Sequence, residues 1–145
     1  MLIGTNPRYE ATILNARIRK TYLNNKTNIY SIGDQGDLTY PYKVIGNTTG
    51  DVSEFFKKQS AIYNEFKKAK KPLIILGYSF FLLQSAKYLL NKCKEFLNDH
   101  ISNMDENWIP LNIISKDAAN VGGYDLKIVG ESDEFNHTLD LLHKN

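Results

Sequence analysis

The chain has 145 residues, 42% hydrophobic and 23% charged, ordinary for one globular domain burying roughly 70% of its unfolded surface. Basic residues number 18 and acidic ones 16, a formal charge of +2 with the signs interleaved, which argues against a nucleic-acid partner. No apolar run approaches the ~18 residues of a membrane-crossing helix, and one cysteine excludes an internal disulfide or a four-cysteine iron–sulfur site.

In chain order, Leu2 to Thr5 reads as the end of a strand, shorter than the usual roughly five or six residues. With Met1-Leu2-Ile3-Gly4 at its start, the sequence gives the expectation of no signal or transit peptide. A basic helix is expected from Glu10 to about Asn24, with Ile13, Leu14, Ile18 and Tyr22 on one stripe. Residues 28–33, NIYSIG, form a second short strand of β-branched and aromatic character. Segment 34–50, DQGDLTYPYKVIGNTTG, reads as a long connection rich in turn residues.

A single long helix is expected next, because Val52, Phe55, Phe56, Ile62, Tyr63 and Phe66 share one face. Asp51 and Ser53 are its candidate caps, and the lysines of KKAKK suit its C-terminal dipole. Pro72 stops it. The apolar PLIILG that follows has the character of a strand buried on both faces in a parallel sheet. Ser79 is placed as the cap of a third helix carrying Leu83, Ala86, Leu90, Cys93 and Leu97. Cys93 is then a buried structural thiol on that helix's apolar face. WIPLNII is a further short strand, KDAANVGGYDL is a loop or short helix, and a last helix holds Phe135, Leu139 and Leu142.

This β-α-β-α-β-α order specifies an α/β fold, a Rossmann-like parallel sheet with helices on both faces, forming one domain over residues 1–145. A very short first strand and a final helix with no strand after it give the expectation of a sheet incomplete on its own.

The candidate binding loop is Gly4, Thr5, Asn6 and Pro7, a strand-to-helix turn whose backbone N–H groups suit a phosphate; the alternative is that Gly4 and Pro7 simply make the turn. Neither G-x-G-x-x-G nor G-x-x-x-x-G-K-[ST] occurs. Arg8, Arg17, Arg19 and Lys20 cluster around the first helix, where a solvated face is the ordinary reading. His100, His137 and His143 lack metal-ligand spacing, and no Ser or Cys sits in a nucleophile elbow. Asp37 and Asp125 fall in loops, where Asp stabilises turns. The residues offer no catalytic set and no metal site.

The stretch LIGTNPRYEATILNARIRK closely resembles the large iron–sulfur subunit of respiratory complex I, whose C-terminal half is similar to molybdopterin oxidoreductases. The matching pattern is an apolar strand, Gly4, Asn6, Pro7, Glu10, then Asn15 through Lys20. DLTY at Asp37 to Tyr40, KKPLIILGYS, WIPLNIISKDAANVGGYDL and LLHKN resemble further family stretches in the same order. The resemblance runs over essentially the whole chain.

It implies a split subunit: a structural component of the mitochondrial complex I peripheral arm, on the matrix side of the inner membrane. Its partners would be the remaining part of the split subunit and other peripheral-arm subunits, with iron–sulfur clusters and FMN on those partner chains. It implies no cofactor in this chain, with Gly4, Thr5, Asn6 and Pro7 kept as a vestigial loop. The alternative is a free Rossmann-like nucleotide- or cofactor-binding module, because KPLIILGYSF also resembles strands of thiamine-diphosphate enzymes.

Overall fold

A computed structural model describes residues 1–57, 61–99 and 107–115, together with 119, 122, 123 and 126. The chain divides into two compact units, Met1–Ile114 and Ser115–Asn145. In the second, the Leu126 amide donates to the Gly122 carbonyl at 2.9 Å. The expected last helix, Asp125 and the three histidines lie outside the described residues.

Among the described residues the first unit holds five strands: β1 (Leu2–Ile3), β2 (Tyr30–Ile32), β3 (Lys43–Gly46), β4 (Ile74–Leu76) and β5 (Leu111–Ile113). They form one sheet in the order β3-β2-β1-β4-β5, and every neighbouring pair is parallel. Leu2 pairs with Ser31 on one side and with Ile75 on the other, so β1 is central despite its two residues.

Alternation along the strands sends side chains to opposite faces. Leu2, Ile29 and Ile75 join Leu38 and Tyr40 in one core, against which Leu14, Ile18 and Tyr22 of α2 (Thr12–Asn25) pack. Ile3, Ile32, Ile74 and Leu76 join the other, with α3 (Thr49–Phe55), α4 (Ala61–Lys68), α5 (Tyr78–Phe81) and α6 (Ala86–Asn98). Crossovers that step first one way and then the other from β1 produce this two-faced covering. The α/β, Rossmann-like expectation stands.

Several details differ from the pattern in the sequence. The connection 34–50 contains a strand, β3, at the sheet edge; Pro41 before it and Asn47-Thr48-Thr49-Gly50 after it disguise the four residues. The first helix begins earlier, as a single turn α1 (Pro7–Glu10), because Asn6 caps it and Pro7 at N1 has no N–H to lose. Ala11, at φ −152° and ψ 70°, separates α1 from α2, and Ile13 ends up 74% exposed rather than on the buried stripe.

The expected long helix is two, α3 and α4. Periodicity carried across the join because Phe55, Phe56, Tyr63 and Phe66 all gather on Phe96 of α6, with ring centroids 5.0 to 5.8 Å from it. The N-cap of α3 is Thr48, not Asp51 or Ser53. Asp51 is the other half of a reciprocal capping box, its carboxylate accepting from the Thr48 amide while the Asp51 amide donates to Thr48 Oγ1 at 3.2 Å. Ser79 likewise lies inside α5 rather than capping α6. Cys93 is fully buried as expected, and burial pushes its thiol up to about 12.

Candidate functional site

Open parallel sheets bind ligands outside the carboxyl ends of their strands, where strand order reverses. Here that point lies between β1 and β4, and a cavity of about 340 Å³ occupies it. Its walls are Gly4, Thr5 and Glu10 after β1, Gln35 after β2, Thr48 before α3, and Ser79 after β4.

Two glycines let the β1 and β4 loops meet. Gly4 has φ +59°, and a Cβ there would meet Ser79 Oγ at 2.9 Å and the Phe80 amide nitrogen at 3.0 Å. Gly77, at the end of β4, lies closer still: a Cβ on it would come within 2.1 Å of the Gly4 carbonyl oxygen. The two strand-to-helix loops are pressed together backbone to backbone. Ser79 closes the join by donating from Oγ to the Gly4 carbonyl.

The fate of the loop's donors decides what the crevice can do. The Thr5 hydroxyl donates to Glu10 Oε2 at 3.1 Å, and the Asn6 amide donates to Glu10 Oε1 at 2.6 Å. The Arg8 amide donates to Asn6 Oδ1 at 3.1 Å, and Asn6 Nδ2 donates to the Gln35 carbonyl at 2.8 Å. Across the crevice, the Asn47 and Thr48 amides both donate to Asp51 Oδ2 at 2.8 Å. Hydrogen bonds from the Thr48 hydroxyl and from these amides hold the Asp51 carboxyl below its usual range.

The turns before α1 and α3 therefore each already hold a carboxylate supplied by the chain itself, Glu10 in the first and Asp51 in the second. A phosphate entering here would have to displace a carboxylate and then sit beside it, and like charges at such separations repel.

The family-type stretches form a second arrangement, a clamp behind the crevice. Asn15 on α2 is buried; its Nδ2 donates to the Leu38 carbonyl at 3.1 Å and its Oδ1 accepts from the Tyr40 hydroxyl at 2.8 Å. Burial first, then the neighbouring Tyr42, pushes the Tyr40 phenol up to about 12. Arg8 Nη1 donates to the Asp37 carbonyl at 2.8 Å and to its carboxylate at 2.6 Å. Asp37 also accepts from the Thr39 amide, and that bond, ahead of the one from Arg8, holds its carboxyl low. NARIRK and DLTY thus meet in space to lock one loop against one helix.

Of the expected basic cluster, Arg8 is spent on Asp37, while Arg17, Arg19 and Lys20 are exposed on α2. Of the four candidate loop residues, Gly4 and Thr5 line the cavity at the switch point, while Asn6 caps α1 and Pro7 is its first residue. Glu10, Gln35, Asp51 and Ser79 were not singled out there as site residues. The Thr-x-x-Asp spacing at Thr48 and Asp51 is the signal that could have found Asp51.

A larger cavity, about 670 Å³, lies at the opposite ends of the strands. Leu14 and Ile18 of α2, Phe66 of α4 and Ile29 line it, and Arg17, Lys68 and Lys71 stand around its edge. Glu65, the one acid among the described residues that line it, accepts from the Tyr30 hydroxyl at 2.6 Å and from Asn28 Nδ2, which hold its carboxyl low. Among the described residues, no three His, Cys, Asp or Glu side chains gather as metal ligands. No helix among them is long and apolar enough to cross a membrane.

A profile of the molybdopterin oxidoreductase family matches residues 1–143. The chain is 34% identical over 128 residues to the NADH-ubiquinone oxidoreductase 75 kDa subunit of Reclinomonas americana, covering 88% of this chain and 18% of that protein. It is 31% identical over 143 residues to the mitochondrial NADH-ubiquinone oxidoreductase 78 kDa subunit of Neurospora crassa, covering 95% and 18%. The corresponding Candida albicans subunit is 30% identical over 126 residues, covering 87% and 17%. The chain spans under a fifth of the length of these relatives. With its parallel α/β sheet and a match over residues 1–143, the chain belongs to the molybdopterin oxidoreductase family, in homology with the large subunits of NADH-ubiquinone oxidoreductase.

Proposed function

We propose that this chain is a structural, non-catalytic part of the large iron–sulfur subunit of mitochondrial complex I. In this reading it is a split fragment, and its partners are the remainder of that subunit and other subunits of the peripheral arm on the matrix side. The clusters and FMN of NADH-to-ubiquinone electron transfer sit on those partner chains, and this one serves as packing and scaffold.

The observation that carries the reading is the self-filled crevice. Glu10 takes the Thr5 hydroxyl and the Asn6 amide, and Asp51 takes the Asn47 and Thr48 amides. The binding geometry of the fold is kept while its anion donors are used internally. The names of the relatives support the assembly, and several of those names include a mitochondrial location.

Native electrophoresis of detergent-solubilised mitochondrial membranes tests it. The chain is expected in the band that carries NADH dehydrogenase activity, and its consistent absence from that band refutes the proposal.

One observation favours a second reading, a free nucleotide-binding module: the 340 Å³ cavity stands where α/β folds bind nucleotides. A ligand at a hundred times its dissociation constant stabilises a protein by about 2.7 kcal/mol. Thermal unfolding with millimolar nucleotide separates the two, because the module gains stability and the scaffold does not.

A further inference from the structure

Just past the switch point, residues 78–85, YSFFLLQS, contain no charged side chain. Phe80 turns inward and is 1% exposed, completing the core beneath β4. The others turn out: Leu82 is 67% exposed, Tyr78 41%, Leu83 38% and Phe81 36%. Tyr88, one turn into α6, adds another exposed ring. Five large apolar side chains from eleven consecutive residues thus face solvent at one end of the sheet.

Isolated exposed apolar residues are normal, but a contiguous apolar patch marks a contact surface. The lack of charge from Tyr78 to Ser85 resembles permanent interfaces, which read like a domain core cut in two. The patch is also continuous with the crevice, since Ser79, Phe80 and Leu83 line that cavity from the same segment. The outer face of α2 differs: Arg17, Arg19 and Lys20 are exposed there and make no ion pair with another of the described residues, as on a solvated or weakly attracting face.

Length points to the occupant. The matched region is 17–18% of each relative, so most of the polypeptide of a large subunit lies outside it. We infer that the apolar surface of α5 and the residues just after it, made by Tyr78, Phe81, Leu82 and Leu83, is where the remainder of the large iron–sulfur subunit packs, through an apolar segment of its own. This rests on the complex I reading above.

The test is photo-crosslinking in the assembled complex. The full chain is expressed in its own cells with a photo-reactive phenylalanine analogue replacing Leu82, and membranes are irradiated before native separation. Peptide sequencing of the adduct is expected to map it to the part of the large subunit beyond the region matched by residues 1–145. An adduct to a second copy of this chain, to a different subunit, or none in a complex that contains the substituted chain overturns the inference and leaves the complex I reading intact. If the unsubstituted chain never enters the complex, that reading fails and takes this inference with it. Leu82→Asp supplies an independent readout: its level in the complex is expected to fall at least tenfold, and a level within twofold of the unsubstituted chain overturns the proposal.

Discussion

The two ends of the sheet carry cavities of opposite character. At the carboxyl ends a small cavity is bordered by loops whose donors are bound to Glu10 and Asp51. At the amino ends a cavity of about twice the volume has an apolar floor and the cations Arg17, Lys68 and Lys71 at its edge. Size favours the second and fold geometry the first. What separates them is hydrogen-bond accounting: the first is built from oriented backbone donors that have been satisfied from within, the second from side chains that happen to leave space. A fold can keep the shape of a binding site after its chemistry has been turned inward.

Disturbing the tight end should have the greatest effect. Gly77→Ala forces a Cβ into the Gly4 carbonyl and Thr5, where backbone must move, and we expect about 3 kcal/mol of destabilisation in urea unfolding. An unchanged midpoint would mean that the two loops are not in contact. Next comes the clamp: Asn15→Leu strands the Tyr40 hydroxyl and the Leu38 carbonyl in the core, costing about 2 kcal/mol, whereas Tyr40→Phe removes one partner and should cost about 1 kcal/mol. Equal losses would show that Asn15 acts by volume rather than by hydrogen bonding.

Thr48→Ala removes the capping box of α3 beside the crevice and should cost about 1 kcal/mol, read from the shift in denaturant midpoint. The opposite end should respond more weakly and to pH. Glu65 is held low by Tyr30 and Asn28, so its contribution is complete above its unfolded value near 4.5 and disappears as pH falls through its lower folded value. Glu65→Gln should therefore flatten stability against pH below about 4.5 while leaving the neutral-pH crevice untouched. The smallest expected effect is none: millimolar nucleotide or inorganic phosphate should leave the thermal midpoint of the unsubstituted chain in place, and a clear rise would reopen the crevice as a site.

Much of the architecture could be read before the fold was known, for identifiable reasons. PLIILG announces β4 because a strand covered on both faces needs no polar alternation. Lys43–Gly46 does not announce β3, since an edge strand of four residues framed by Pro41 and a run of turn formers has no periodicity to show. The break between α3 and α4 is hidden for the opposite reason: both helices feed the same aromatic cluster, so the apolar rhythm continues through the turn.

The site divides in the same way. Gly4, Thr5, Asn6 and Pro7 were legible as a loop, because capping and turn chemistry are local. That Glu10 fills the loop was not, because it depends on where a carboxylate four residues on comes to rest. The clamp was still less legible, since Asn15 and Tyr40 are 25 residues apart and meet only when β2 is laid beside β1.

The lone thiol offers an experimental handle. Cys93 lies wholly inside the core under α6, with its ionisation pushed to about 12, so alkylating reagents at neutral pH should find it silent while the helix stays down. Every labelling event then counts an opening of α6 from the sheet, and the rate of modification becomes a clock for that opening. The same silence leaves a cysteine introduced at an exposed position as the single reactive group, so dyes and spin labels can be attached without first removing the native one.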